Sequence, residues 1–273
     1  MGWGRAAAAG TALLLGSSAV VGCTSTAAEP RTGGTPSGPA PMASPVVVKD
    51  CWVPTSTGNV SLLGEEAKSL TARAAELGLA PRADGDRVAA RLVPAVLATS
   101  AGVDRAAGTE VAAGLAGVRH SSRLVCSWPR SAVEPQEPGP SGLVPLARRL
   151  RATWTEAFGP LIAGGFASGG VSSGHVDGSA HYEGRAIDVF FRPLGDTEQR
   201  RRGWVFAQWL VAHAADHHVL SVIYDDRIWT SWAAGSGWRD YVHPGATFAH
   251  RGNAVLRHKD HVHVAVESGR PYR

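Results

Sequence analysis

Lysine is almost absent from this chain: of 27 basic side chains only Lys49, Lys68 and Lys259 are lysines, the rest being arginine. The formal net charge of +4 is modest and is not gathered into a basic helix. With no RNA-binding aromatic motif and no zinc-finger spacing beside it, this balance gives no reason to expect a nucleic-acid partner, and it suits an anionic cell wall. Cysteine is scarce as well. Cys51 and Cys126 have no second Cys or His at close spacing, which argues against a thiolate metal site around either. Histidine is nearly missing from the first half, where His120 stands alone; the other ten of the 11 histidines fall from His175 onward, a clustering that favours a metal-centred C-terminal half.

Long apolar runs are also rare. Residues 6–21 form one, behind a short, weakly positive start, and its length fits a secretory core better than a spanning helix. It closes on Val20-Val21-Gly22-Cys23, which resembles a bacterial lipobox. The resemblance implies a signal peptide over residues 1–22, cut before Cys23, and an acylated Cys23 that anchors the protein to the membrane on its extracytoplasmic face. Residues 23–45 are Thr, Ser, Gly, Pro and Ala with almost no bulky apolar side chain, a composition that cannot build a core and reads as a flexible tether.

An exported chain makes a Cys51–Cys126 disulfide the default pairing. It would close an accessory module over residues 46–130, of α/β or α+β type. Within it, Leu63, Ala67, Leu70, Ala74 and Leu77 recur at helical spacing over 62–79. Residues 86–97 read either as a second helix interrupted by Pro94 or as a strand, and 122–128 as a closing strand. A Pro-rich stretch over 131–142 marks a linker, and residues 143–273 have the size of one compact domain.

That domain opens with an amphipathic helix over 143–158, whose stripe is Leu146, Leu150, Trp154 and Phe158. A short strand over 160–166 then delivers a Gly/Ser-rich loop. Apolar runs at 186–191 and 219–223 read as strands, with a further strand at Ile228-Trp229 and a helix over 201–216 between them. His213, His217 and His218 read as helix-end histidines. Trp229, Trp232, Trp238 and Tyr241 cluster in a loop where they either stack on a ligand or pack over the sheet edge.

Two stretches carry chemistry. In Ser179-Ala-His181-Tyr-Glu-Gly184-Arg185-Ala-Ile-Asp188, the carboxylate of Asp188 falls inside an apolar strand, where a bare ionised Asp would cost several kcal/mol and so calls for a cation. In Asp260-His261-Val262-His263, period-two alternation sets His261 and His263 on one face of a strand. His181, Asp188 and the two imidazoles supply the three ligands and spare polar group of a catalytic zinc site.

The pair Ser179-x-His181-x-x-Gly184-x-Ala186-x-Asp188 and Asp260-x-x-His263 resembles the motifs of zinc peptidases that trim peptidoglycan stems: D-Ala-D-Ala carboxypeptidases, L-Ala-D-Glu endopeptidases, murein endopeptidases and the related hedgehog domain. The resemblance spans roughly residue 143 to the end. It implies an α+β domain with a small, mostly antiparallel sheet flanked by helices around the metal. It implies His181, Asp188 and His263 as zinc ligands, and Asp260 as general base. A regular strand instead favours His261 as base; the resemblance, with Asp260 at a bend where the strand begins, ranks Asp260 first and His261 second. Ser179, His175, Arg185 and His258 are the expected substrate or supporting contacts. The family's upstream arginine is missing, since no Arg lies between Arg151 and Arg185; Arg185, Arg192 or a His would have to stand in. Two functions follow: a lipid-anchored zinc peptidase acting on peptidoglycan peptides, or a wall-peptide binder that keeps the fold without the catalysis.

Overall fold

In a computed structural model, residues 50–79, 83–244 and 252–269 are described. The expected signal peptide, tether and Cys23 lie outside them. Cys51 begins a short antiparallel sheet. β1 (Cys51–Thr55) turns into β2 (Gly58–Leu62) and pairs on its other side with β3 (Val125–Cys126), giving the order β2-β1-β3. Cys51 faces Cys126 in register and the two sulfurs are bonded.

Three helices connect the outer strands. α1 (Gly64–Gly78) starts where the Glu66 carboxylate accepts the Leu63 N–H at 2.7 Å. α2 (Gly85–Thr99) is capped by Asp84, which accepts from the N–H groups of Asp86 and Arg87. Pro94 does not break α2. The helix buries Val88, Leu92 and Val96 at spacings of four, and this packing outweighs the lost N–H. α3 (Arg105–Leu115), capped by Asp104, has no counterpart in the sequence reading.

The remaining strands form one sheet of order β4-β5-β9-β6-β7-β8, antiparallel at every pair. They are β4 (Ala163–Gly164), β5 (Ala186–Phe190), β6 (Val219–Tyr224), β7 (Arg227–Thr230), β8 (Arg239–Asp240) and β9 (His261–Val266). α4 (Pro145–Phe158), α5 (Thr197–Ala212) and α6 (Ala214–His217) pack with it. The fold is α+β, as expected. α5 is buried nearly all round, and its Phe206 meets Trp154 and Phe158 edge to face. Burying a side chain such as Phe206 stabilises by roughly 1.5–3 kcal/mol.

α5 also binds the first sheet's helices through polar groups. Gln208 accepts the Leu124 N–H and donates to the Gly114 carbonyl, both at 2.9 Å. Arg201 donates to the carbonyls of Gly78 and Ala116, where α1 and α3 end. The Pro-rich stretch at 131–142 therefore joins elements that share one hydrophobic core.

Candidate metal centre

The register between β5 and β9 sets Asp188 opposite His263 and Phe190 opposite His261. Residues paired across strands emerge on one face, so two strands bring these side chains together. His181 arrives from the turn before β5. There the Tyr182 N–H meets the Ser179 carbonyl at 3.0 Å, the Gly184 N–H meets the His181 carbonyl at 3.1 Å, and Gly184 takes φ +65°.

The His181 Nδ1 lies 2.7 Å from the Gly165 carbonyl. A proton on Nδ1 donated there leaves Nε2 as a lone-pair atom. That Nε2 is 3.1 Å from His263 Nδ1 and 3.3 Å from Asp188 Oδ1, and the last two are 3.1 Å apart. One ligand atom each from His181, Asp188 and His263 thus lies within 4.8 Å of the others, a group that could hold a metal ion. Gly165 leaves room for it. At φ +77°, a Cβ there would stand 2.4 Å from His181 Cε1 and 3.0 Å from Asp188 Oδ2.

The electrostatics agree with a cation site. Burial alone would raise the Asp188 carboxyl, but the imidazoles of His181 and His263 beside it hold it well below the usual carboxylate range. Burial lowers His263 against the pull of Asp188. His258, at φ +51° just before β9, is pushed far below its ordinary value by burial and by His263 and His261. Its ring centroid lies 4.6 Å from that of His261 and 4.9 Å from that of Tyr241.

Asp260 does not face the ligand group. Its Oδ2 accepts from Arg192 Nε at 2.9 Å and Nη2 at 2.7 Å, and its Oδ1 lies 2.8 Å from His261 Nδ1. Burial would raise this carboxyl, yet the bonds from His261 and Arg192 keep it low. The opposite nitrogen of His261, Nε2, is 3.8 Å from Asp188 Oδ1. His261 is therefore a buried imidazole beside the three candidate ligands, held from behind by an ion pair.

The other expected residues divide. His175 stacks on His181, with centroids 4.0 Å apart and planes 15° from parallel, and its backbone exchanges hydrogen bonds with the Tyr182 hydroxyl. Ser179 shapes the turn, its Oγ 3.4 Å from the His181 N–H. Arg185 is turned to the fold: Nη1 donates to the Val266 carbonyl at 2.8 Å and Nε to Glu183. The tryptophan cluster also splits. Trp229 and Trp238 donate their indole N–H to the carbonyls of Cys126 and Leu124, whereas Trp232 stands exposed. Gly165 and Tyr182 escaped the sequence reading, although a Gly-Gly pair closing an apolar run is a signal for close backbone approach.

A protein-family model described as the VldE C-terminal domain matches residues 140–251. That stretch includes His181 and Asp188 and ends before His261 and His263. No curated protein and no solved structure matches the chain. Among the described residues, no helix is long and apolar enough to cross a membrane.

Proposed function

We propose that this chain is a zinc metallopeptidase that hydrolyses stem or cross-link peptides of peptidoglycan, anchored through lipid on Cys23 to the extracytoplasmic face of the membrane. One observation carries the reading: the ligand atoms of His181, Asp188 and His263 converge beside His261, an imidazole backed by a carboxylate. Two imidazoles and one carboxylate form the donor set of catalytic zinc sites, which keep a fourth position open. A zinc ion bound there would supply Lewis acidity, making water a proton donor near neutral pH and polarising a peptide carbonyl.

The protein's own groups do the rest. A neutral His261 that donates Nδ1–H to Asp260 presents Nε2 as an acceptor toward the ligand group. It takes the proton of the attacking water and returns it to the leaving amine. The Asp260 carboxylate fixes the tautomer and stabilises the imidazolium that forms, while Arg192 keeps that carboxylate ionised and in place. The base is then His261 and Asp260 is a positioning residue, the reverse of the order expected from the motif. His175 and Tyr182 brace His181 from the loop side.

One observation favours wall-peptide binding without hydrolysis: Arg185 and Arg192, the candidate stand-ins for the missing stabiliser, are held by the Val266 carbonyl and by Asp260. Digestion of purified peptidoglycan with the full chain in detergent separates the readings. Muropeptides are read by mass, with and without zinc, for the native protein and the His261→Ala and His263→Ala variants. Zinc-dependent shortening of stem peptides, lost in both variants, supports the peptidase and names its bond. Zinc binding with every muropeptide unchanged would sink hydrolysis of this substrate and leave the binder.

A further inference from the structure

A second polar cluster lies at the turn between β6 and β7, on the far side of the Tyr241–His258 ring contact. A cleft of about 690 Å³ there is lined by the guanidinium groups of Arg123, Arg200, Arg227 and Arg257 and by three carboxylates. The carboxylates are matched. Asp225 pairs with Arg200 at 2.7 Å, Asp226 with Arg257 at 2.6 Å and Asp240 with Arg227 at 2.5 Å. Lys259 adds a further cation to Asp225 and Asp226.

Arg123 is the guanidinium left over. Its residue is only 9% exposed, its Nε has no hydrogen-bond partner among the described residues, and its contact is the Trp204 ring, 3.5 Å from the centroid. Burial, with Arg227 and Arg200 nearby and Asp225 opposing, lowers it to about 10. His120 on the same wall is lowered by burial and then by Arg200 and Arg123, with Asp225 opposing. Arg123 also lines a second opening of about 330 Å³, beside Trp52 and Trp238. A buried guanidinium N–H without an acceptor costs about 1–3 kcal/mol, which an anion supplied from solution would relieve.

We propose that Arg123, with Arg200 and Arg227 at the rim, binds a single oxyanion, a carboxylate or a phosphate, at a site separate from the His181–Asp188–His263 group. The planar fork of a guanidinium suits two oxygens of either group, and the Trp204 face holds that fork in one plane. The site does not depend on the metallopeptidase reading.

The test is calorimetric titration of the full chain in detergent, stripped of metal by chelator that is then dialysed away, with inorganic phosphate and, separately, acetate, at constant ionic strength. The expected result is saturable binding of one anion per chain, weakened at least tenfold by Arg123→Gln and measurably by Arg227→Gln, with the thermal midpoint of ligand-free Arg123→Gln unchanged or raised. Response to phosphate alone identifies a phosphate group as the ligand, and response to acetate identifies a carboxylate. Absence of saturable binding of either anion overturns the proposal, as does equal affinity in Arg123→Gln. A lowered midpoint without anion binding would leave Arg123 as a partner of Trp204 only. Should Arg123→Gln fail to fold, the native titration and Arg227→Gln decide.

Discussion

Asp188 and His263 face each other across adjacent antiparallel strands, Oδ1 to Nδ1 at 3.1 Å, although they stand 75 positions apart in the sequence. Their meeting is set by sheet register alone. A slip of one residue between β5 and β9 would turn one partner to the opposite face, so the apolar neighbours Ile187, Val189, Val262 and Val264 fix the site by fixing the core.

Asp260→Asn tests whether His261 is oriented from behind. An amide accepts less strongly from Nδ1–H and lets the imidazole take its other tautomer. On the proposed peptidase activity, kcat/KM should fall about 10- to 100-fold, the range for a residue that orients a site group. Zinc affinity, which the proposed ligands His181, Asp188 and His263 would set, should change little. Kinetics and zinc titration on the same preparation check this; an equal loss in both would place Asp260 in metal binding instead.

Gly165→Ala should damage the site and the fold together. The backbone there holds φ +77°, which costs a non-glycine residue about 1–3 kcal/mol, and the added methyl would press on His181 Cε1. Urea unfolding should show a loss within that range, and metal affinity should drop as the imidazole is displaced. Full metal affinity in a stable Gly165→Ala protein would show that the ring has room to move.

Acid should unfold the metal-free protein in two stages. His258 and His263 are both depressed by burial below an ordinary value of 6.5. The unfolded chain therefore binds their protons first, so stability is intact above about pH 6.5 and falls as pH drops below it. Asp188 is held low by His181 and His263 in spite of its burial. Its contribution is present above about pH 4 and is lost as pH falls further. Urea midpoints in chelator at stepped pH values should decline through the first window, and His258→Phe should flatten that decline. A midpoint constant down to about pH 5 would contradict it.

Arg201→Met should loosen the joint between the two sheets. Arg201 is 5% exposed and donates to the Gly78 and Ala116 carbonyls at 2.6 and 3.0 Å. Methionine keeps much of the stem but no donor, leaving helix-end carbonyls without this charged partner. A hydrogen bond to a charged group contributes about 1.5–3 kcal/mol, so the loss should be about 3 kcal/mol or more by denaturant titration. A loss under 1 kcal/mol would mean that water replaces the guanidinium.

Much of this was legible before the structure. α1, α4, β5, β6 and β9 carry apolar periodicities strong enough to place them, and the three side chains that could hold a metal stand in spaced motifs on two of those strands and one turn. α3 was not legible because Arg-Ala-Ala-Gly-Thr-Glu-Val-Ala-Ala-Gly-Leu is too poor in large apolar residues to show a stripe. For α2, Pro94 set local propensity against packing, and packing prevailed. The Arg192–Asp260 pair spans 68 residues and has no local signature, so the strand pattern left the base unresolved. Arg123 fell within the expected closing strand with nothing to mark it; its burial is a product of tertiary structure.

β9 is last in the chain among the described strands yet lies inside its sheet, between β5 and β6. Until it inserts, the sheet exists only as two separate pieces with open inner edges, and Asp188 has neither His263 nor His261 beside it. A metal at the proposed site would therefore find its full set of ligand atoms only once β9 is in place. A product cut short before residue 261 would lose more than a ligand: it would carry two unpaired β edges, each a template for joining a second copy.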